Sequence, residues 1–213
     1  MITVIGGIKG GGGKTTIATN LCVLRASEKN NKVLFVDSDE QRTASDWACL
    51  RQSKGIETNW TTIQLNDKAI ISEIKKMINN YDDIIIDVGG RETSSQRAAL
   101  CIAHQCIIPF KPKSFDMWTL GLIKTLISEA KIFNPCLKSY ALINQADSRG
   151  SDNDEAIDIM KDDEEFIYLP TPIGYRKAFA NAASEGLGVV ELKKIDAKAN
   201  EEIQSLYRCI FNP

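Results

Sequence analysis

The sequence predicts an α/β protein: a doubly wound, mainly parallel sheet with helices on both faces. Short apolar runs are the first sign: Ile2–Ile5, Val33–Val36, Ile84–Ile86, Cys106–Pro109 and Ala141–Ile143. Each lacks polar alternation, as strands buried on both faces do. Helical patterns follow nearly every run, at Thr15–Glu28, Thr43–Arg51, Lys68–Ile78, Met117–Ile132 and Asp154–Met160. That rhythm is the second sign, because parallel neighbours need a crossover and a helix supplies it. The third is a glycine-rich turn between the first run and the first helix.

The 213 residues suit one domain, 1–213, with a substantial core. The formal net charge is −2 and the two signs are interspersed, so no global basic field advertises nucleic acid. Any DNA contact must come from a local patch. No apolar run approaches the ~20 residues of a spanning helix, and the N-terminus lacks a signal-peptide pattern. A cytoplasmic protein is expected. Six cysteines, Cys22, Cys49, Cys101, Cys106, Cys136 and Cys209, are scattered without a CxxC pair and read as buried free thiols. His104 is the sole histidine, which argues against a histidine-ligated metal or a histidine general base.

The first strand runs into Gly6-Gly7-Ile8-Lys9-Gly10-Gly11-Gly12-Gly13-Lys14-Thr15-Thr16, and a helix follows at once. A strand, a glycine turn and a helix N-terminus make an anion site. Successive glycine N–H groups point inward, and the helix end adds about half a positive charge. Gly10, Gly11, Gly12, Gly13 and Thr16 line such a cradle, Lys14 reaches the β- and γ-phosphates, and Thr15 ligates Mg²⁺. A flexible glycine linker is the plainer alternative. Yet Lys-Gly-Gly-x-Gly-Lys-Thr arises by chance on the order of once in 10⁴ chains.

The general phosphate-loop pattern has glycine at position 8, where this chain has Ile8, followed by a second lysine, Lys9. Lys9-Gly10-Gly11-Gly12-Gly13-Lys14-Thr15-Thr16 resembles the deviant Walker A loop of the ParA/MinD group of P-loop ATPases. The resemblance implies ATP/ADP and Mg²⁺ as ligands and a homodimer formed with ATP, in which Lys9 reaches across to the opposite nucleotide. A solvated loop lysine is the alternative.

After Val33–Val36 come Asp37-Ser38-Asp39-Glu40-Gln41, at the sheet edge where α/β proteins bind ligands. They resemble the family's Asp-x-Asp-Pro-Gln, which implies Asp37 near the metal and Asp39 orienting or activating the attacking water. Glu40 stands where the family usually has proline. Capping of the next helix is the other reading of both aspartates. Ile84–Ile86 delivers Asp87 as a Walker B carboxylate for the Mg²⁺ shell, and its strand is expected beside the loop strand. Gly89-Gly90 then permits the backbone change of a γ-phosphate sensor, and Arg91 follows as a loop arginine.

Pro109 through Trp118 is similar to the family's Pro-x-x-Pro-Ser-x-x-Asp-x-Trp segment, with Ser114 as a helix N-cap and Asp116 in the first turn. That likeness is closest to small plasmid-partition ATPases and VirC-type proteins. By resemblance Asn144 contacts adenine, and Pro170 to Phe179 closes over the base and starts a helix. Asp147–Asp154 is the one plausible flexible loop. The last helix carries Ile203, Leu206, Tyr207, Ile210 and Phe211 on one stripe.

A MinD-like membrane partner is not expected, because Glu201 and Glu202 flank that stripe and Arg208 is its one basic residue. No helix-turn-helix region precedes the loop, so a site-specific repressor is not expected either. The resemblance implies a nucleoid-associated DNA-partition ATPase with a ParB-like centromere-binding adaptor. Arg176, Lys177, Lys193, Lys194 and Lys198 are the available set for non-specific DNA. A VirC-like DNA-processing accessory and positioning of a protein complex are the alternatives.

Overall fold

The computed structural model describes residues 1–112, 117–147, 152–161 and 163–212. In chain order the elements are β1 (Ile2–Ile5), α1 (Lys14–Ser27), β2 (Val33–Ser38), α2 (Thr43–Ser53), β3 (Trp60–Gln64) and α3 (Lys68–Met77). There follow β4 (Asp83–Val88), α4 (Ser94–Ile102), β5 (Gln105–Phe110), α5 (Met117–Phe133), β6 (Lys138–Ala146) and α6 (Asp152–Lys161). The chain ends with β7 (Ile167–Tyr168), β8 (Ile173–Gly174), α7 (Lys177–Ser184) and α8 (Ala197–Phe211). The expected Ser114 cap and Asp116 lie outside the described residues, as do residues 148–151 of the polar loop.

The strands pair in the order β3-β2-β4-β1-β5-β6-β7, with β8 also on β6, and every pairing is parallel. Side chains alternate across this sheet and fill two cores. Ile5, Phe35, Ile85 and Ile107 pack with α1, α2 and α8 on one face. Val4, Leu34, Ile84, Ile86 and Cys106 pack with α3, α4 and α5 on the other. The doubly wound prediction holds, and the loop strand β1 does lie beside β4. On α8, Ile203, Leu206, Tyr207 and Ile210 are buried and Phe211 stacks on Tyr207 at 5.0 Å, so the foreseen stripe docks.

Three features depart from expectation. The edge strand β3 is only half buried, so it lacks the apolar run of its neighbours. Helix α4 is short and is capped by Thr93, whose hydroxyl accepts the Gln96 N–H at 3.2 Å. The cysteines are not uniformly buried: Cys22 and Cys106 are, but Cys49 and Cys136 are exposed. Cys49 lies on α2, which covers the sheet with its Ala44 and Trp47 face, and Cys136 lies in the turn before β6.

This strand order puts the carboxyl ends of β1, β2 and β4 side by side. Ile5 pairs with Asp87 and Asp37 with Asp87, so the glycine loop and two of the candidate carboxylates meet at one edge.

Candidate functional site

The loop from Gly6 to Gly13 leaves β1 and feeds α1 directly. Gly13 takes φ 85, a left-handed conformation, as the N-cap of α1, and no side chain caps that end. The first N–H groups of the helix are therefore open to a ligand. Gly10, Gly11, Gly13, Lys14, Thr15 and Thr16 line an open cleft of about 950 Å³. Asp39, Glu40 and Gln41 line it from the β2 side, and Gly89, Gly90 and Arg91 from the β4 side. Its far wall is Asn66, Asp67, Thr93, Ser94 and Ser95, polar residues that sequence reasoning missed because β3 and α4 were not foreseen. Gly90 is required by closeness: a Cβ there would stand 2.9 Å from the Gly10 Cα.

Lys14 is buried, and its ammonium donates to the Lys9 carbonyl at 3.0 Å. Burial lowers its pKa, while the nearby carboxylates of Asp87 and Asp39 oppose that shift. Lys9 itself is exposed and is not among the residues that line this cleft.

Asp87 lies under the loop, fully buried, and neither carboxylate oxygen has a hydrogen-bond partner. Burial pushes its pKa up to about 7, and Asp37 and Asp39 add like charge. Thr15 and Lys14 pull the other way, Thr15 without reaching hydrogen-bond geometry. A buried carboxylate left without donors, beside a threonine hydroxyl at a phosphate loop, fits a hydrated Mg²⁺. Among the described residues no group of three or more His, Cys, Asp or Glu can hold a metal by itself, so phosphate oxygens and water would complete such a shell.

Asp37 differs from Asp87 although the two are register partners. One Asp37 oxygen accepts the Ser45 N–H at 2.8 Å and the Ser45 hydroxyl at 2.7 Å; the other accepts the Asp39 N–H at 3.1 Å. It thus caps α2 from outside the helix, with Gln64 of β3 holding the Ser45 hydroxyl at 2.9 Å. Asp39 is half buried, and one of its oxygens accepts the Gln41 N–H at 3.0 Å. That turn, closed also by the Arg42 N–H on the Asp39 carbonyl, gives the segment its shape with Glu40 in place of proline.

Asn144 stands behind the loop, not in the cleft. Its amide donates to the Gly12 carbonyl at 2.7 Å, and the Gln145 amide to the Gly11 carbonyl at 3.1 Å. Of the basic set, Lys177, Lys193, Lys194 and Lys198 are exposed, whereas Arg176 is bound to Glu202.

Comparison with known proteins gives the family and the fold. The family model described as "CobQ/CobB/MinD/ParA nucleotide binding domain" matches residues 3–189. The Maintenance of carboxysome distribution protein A of Halothiobacillus neapolitanus is 26% identical over 206 residues, covering 95% of this chain and 92% of its own. A putative plasmid partition protein from Borrelia burgdorferi, solved with AMPPNP, shares the fold with TM-score 0.76 at 20% identity, over 100% of this chain and 99% of its own. So does cobyrinic acid a,c-diamide synthase from Mycobacterium smegmatis, solved with an ATP analogue and magnesium, with TM-score 0.71 at 20% identity over 100% and 96%.

Proposed function

The chain belongs to the CobQ/CobB/MinD/ParA nucleotide binding domain family, and from that premise we propose that it is an ATP-driven switch that dimerises on Mg²⁺–ATP, hydrolyses it slowly and thereby positions a cargo. The observation that carries this reading is the unpartnered Asp87 carboxylate under a phosphate loop whose lysine and threonine flank it. Thr15 and Asp87 would hold Mg²⁺, with Asp37, already engaged by Ser45, lying next to them. Bound there, the ion would neutralise charge on the β- and γ-phosphate oxygens.

The chain's own groups do the rest. Gly10, Gly11, Gly12, Gly13 and Thr16 cradle the phosphates. Lys14 leaves the Lys9 carbonyl and donates to phosphate oxygens. Asp39 has one oxygen held by Gln41, and the other orients the attacking water and draws on its proton. The water oxygen bonds to the γ-phosphorus as the bond to the β-phosphate oxygen breaks, giving ADP and phosphate. Lys9, exposed in the loop, reaches the nucleotide of the opposite protomer and makes the dimer depend on ATP.

The cargo we favour is plasmid or chromosomal DNA, joined through a ParB-like adaptor, with Lys177, Lys193, Lys194 and Lys198 touching duplex without sequence preference. If about four phosphates are neutralised per dimer, the salt slope is about −3.6 and affinity falls about a hundredfold from 50 to 200 mM salt. A second reading, positioning of a protein assembly, is favoured by the carboxysome-distribution relative. Light scattering on a size-exclusion column tests the switch: Mg²⁺ with a non-hydrolysable ATP analogue should double the mass and ADP should not. An unchanged mass at saturating nucleotide contradicts it.

A further inference from the structure

We propose that the side-chain amides of Asn144 and Gln145 act together as a clip that sets the phosphate loop for anion binding. This role rests on the nucleotide-binding reading above and concerns the same site. A loop binds phosphate by turning its N–H groups inward, which turns its carbonyls outward, where they need donors. Here the donors are side chains: Asn144 Nδ2 to Gly12 O at 2.7 Å and Gln145 Nε2 to Gly11 O at 3.1 Å. Among the described residues no peptide bond is cis, so each restrained carbonyl fixes the N–H of the next residue to point the opposite way within the same peptide plane. Holding Gly11 and Gly12 by their oxygens thus aims the N–H groups of Gly12 and Gly13 away from β6.

Two further observations belong to the same device. Successive residues of a strand point to opposite faces, so neighbours such as Asn144 and Gln145 should not both reach one loop. Gln145 takes φ 55, a conformation most side chains avoid, where the pairing of β6 with β8 slips register between Asn144 and Ala146. That kink brings both amides onto adjacent carbonyls. Asn144 is also buried, at 4% exposure, and a Cβ on Gly13 would stand 2.1 Å from its Nδ2. The amide fills the space that a side chain at position 13 would need.

The test uses Mg²⁺–ATP and, as a base-free probe, Mg²⁺ with inorganic tripolyphosphate, titrated against the full chain. Gln145→Gly removes one donor yet suits φ 55, so melting should be unchanged or raised while tripolyphosphate affinity falls about 3–10-fold. Asn144→Leu keeps the volume without a donor and should weaken both probes by the same factor, about tenfold. An Asn144→Leu protein that loses ATP affinity but keeps tripolyphosphate makes Asn144 a contact to the base and overturns the clip. Variants that bind tripolyphosphate like the parent overturn the clip alone. A parent that binds neither probe overturns the clip and the nucleotide reading together.

Discussion

Asp83 and Asp87 sit near opposite ends of β4, at 2% and 1% exposure, and the protein treats them in opposite ways. Asp83 receives the Arg25 guanidinium at 2.5 Å, the N-terminal ammonium at 3.3 Å and the Asn31 amide at 3.2 Å. Arg25 is itself held by the Tyr207 hydroxyl, which ties α1 and α8 to the amino end of the sheet. Asp87 has no donor on either oxygen. A buried carboxylate without partners lowers stability, so the fold itself gains nothing from leaving Asp87 bare. One end of the strand is finished as structure, and the other carries a bare carboxylate that the proposed function assigns to a bound ion.

The contrast is sharpest in the pH dependence of stability. The Asp87 pKa is raised from 3.8 to about 7 in the folded protein. Its contribution is therefore fully present below pH 3.8 and lost as pH rises towards about 7, beyond which the penalty is constant. Asp87→Asn should accordingly stabilise the ligand-free protein at pH 8, by at most about 4 kcal/mol, and have little effect at pH 4. Thermal melts at the two pH values measure this; an equal or lower melting temperature at pH 8 breaks the contrast. Asp83→Asn should do the reverse, losing about 1–3 kcal/mol in urea unfolding while nucleotide affinity stays within about twofold of the parent.

Smaller effects probe the neighbours. Ser45→Ala removes one of the donors on Asp37 and leaves the backbone N–H, so a loss of about 1 kcal/mol is expected. Because Asp37 would then turn more freely beside Asp87, single-turnover hydrolysis should slow as well, and an unchanged rate would limit Asp37 to capping. The least effect belongs to His104, whose Nδ1 accepts the Ile2 N–H at 2.9 Å and so favours the neutral ring. Burial, and then the N-terminal charge, depress its pKa below 6.5, so the stability it adds is present above that value and lost as pH falls. The ring is largely exposed, so His104→Ala should flatten only a slight decline in melting temperature below pH 6.5.

The parts of this molecule legible in the sequence are those whose physics is local or strongly periodic. Val33–Val36 and Ile84–Ile86 had to be strands buried on both faces, and Gly10-Gly11-Gly12-Gly13-Lys14 could serve a phosphate because the loop joins a strand to a helix. The edge strand β3 escaped because Trp60–Gln64 is half buried and carries no apolar run. Pairing across long separations escaped for a different reason. Nothing in Asn144-Gln145 announces that these amides meet glycine carbonyls at the other end of the chain, since the kink at φ 55 creates the contact. Likewise the sequence put both Asp37 and Asp87 near a metal, with helix capping as the other reading of Asp37. The donors from Ser45 and Asp39 distinguish the carboxylate already engaged from the one left open.

Whether Asp87 is the position reserved for Mg²⁺ is decided by calorimetric titration of ATP with and without the ion. Magnesium should tighten binding to the parent by about tenfold or more, as charge-assisted contacts of this kind allow. In Asp87→Asn, folded and more stable at pH 8, that gain should vanish while magnesium-free binding through Lys14 persists. An Asp87→Asn protein that keeps the parent's full magnesium dependence would contradict the account.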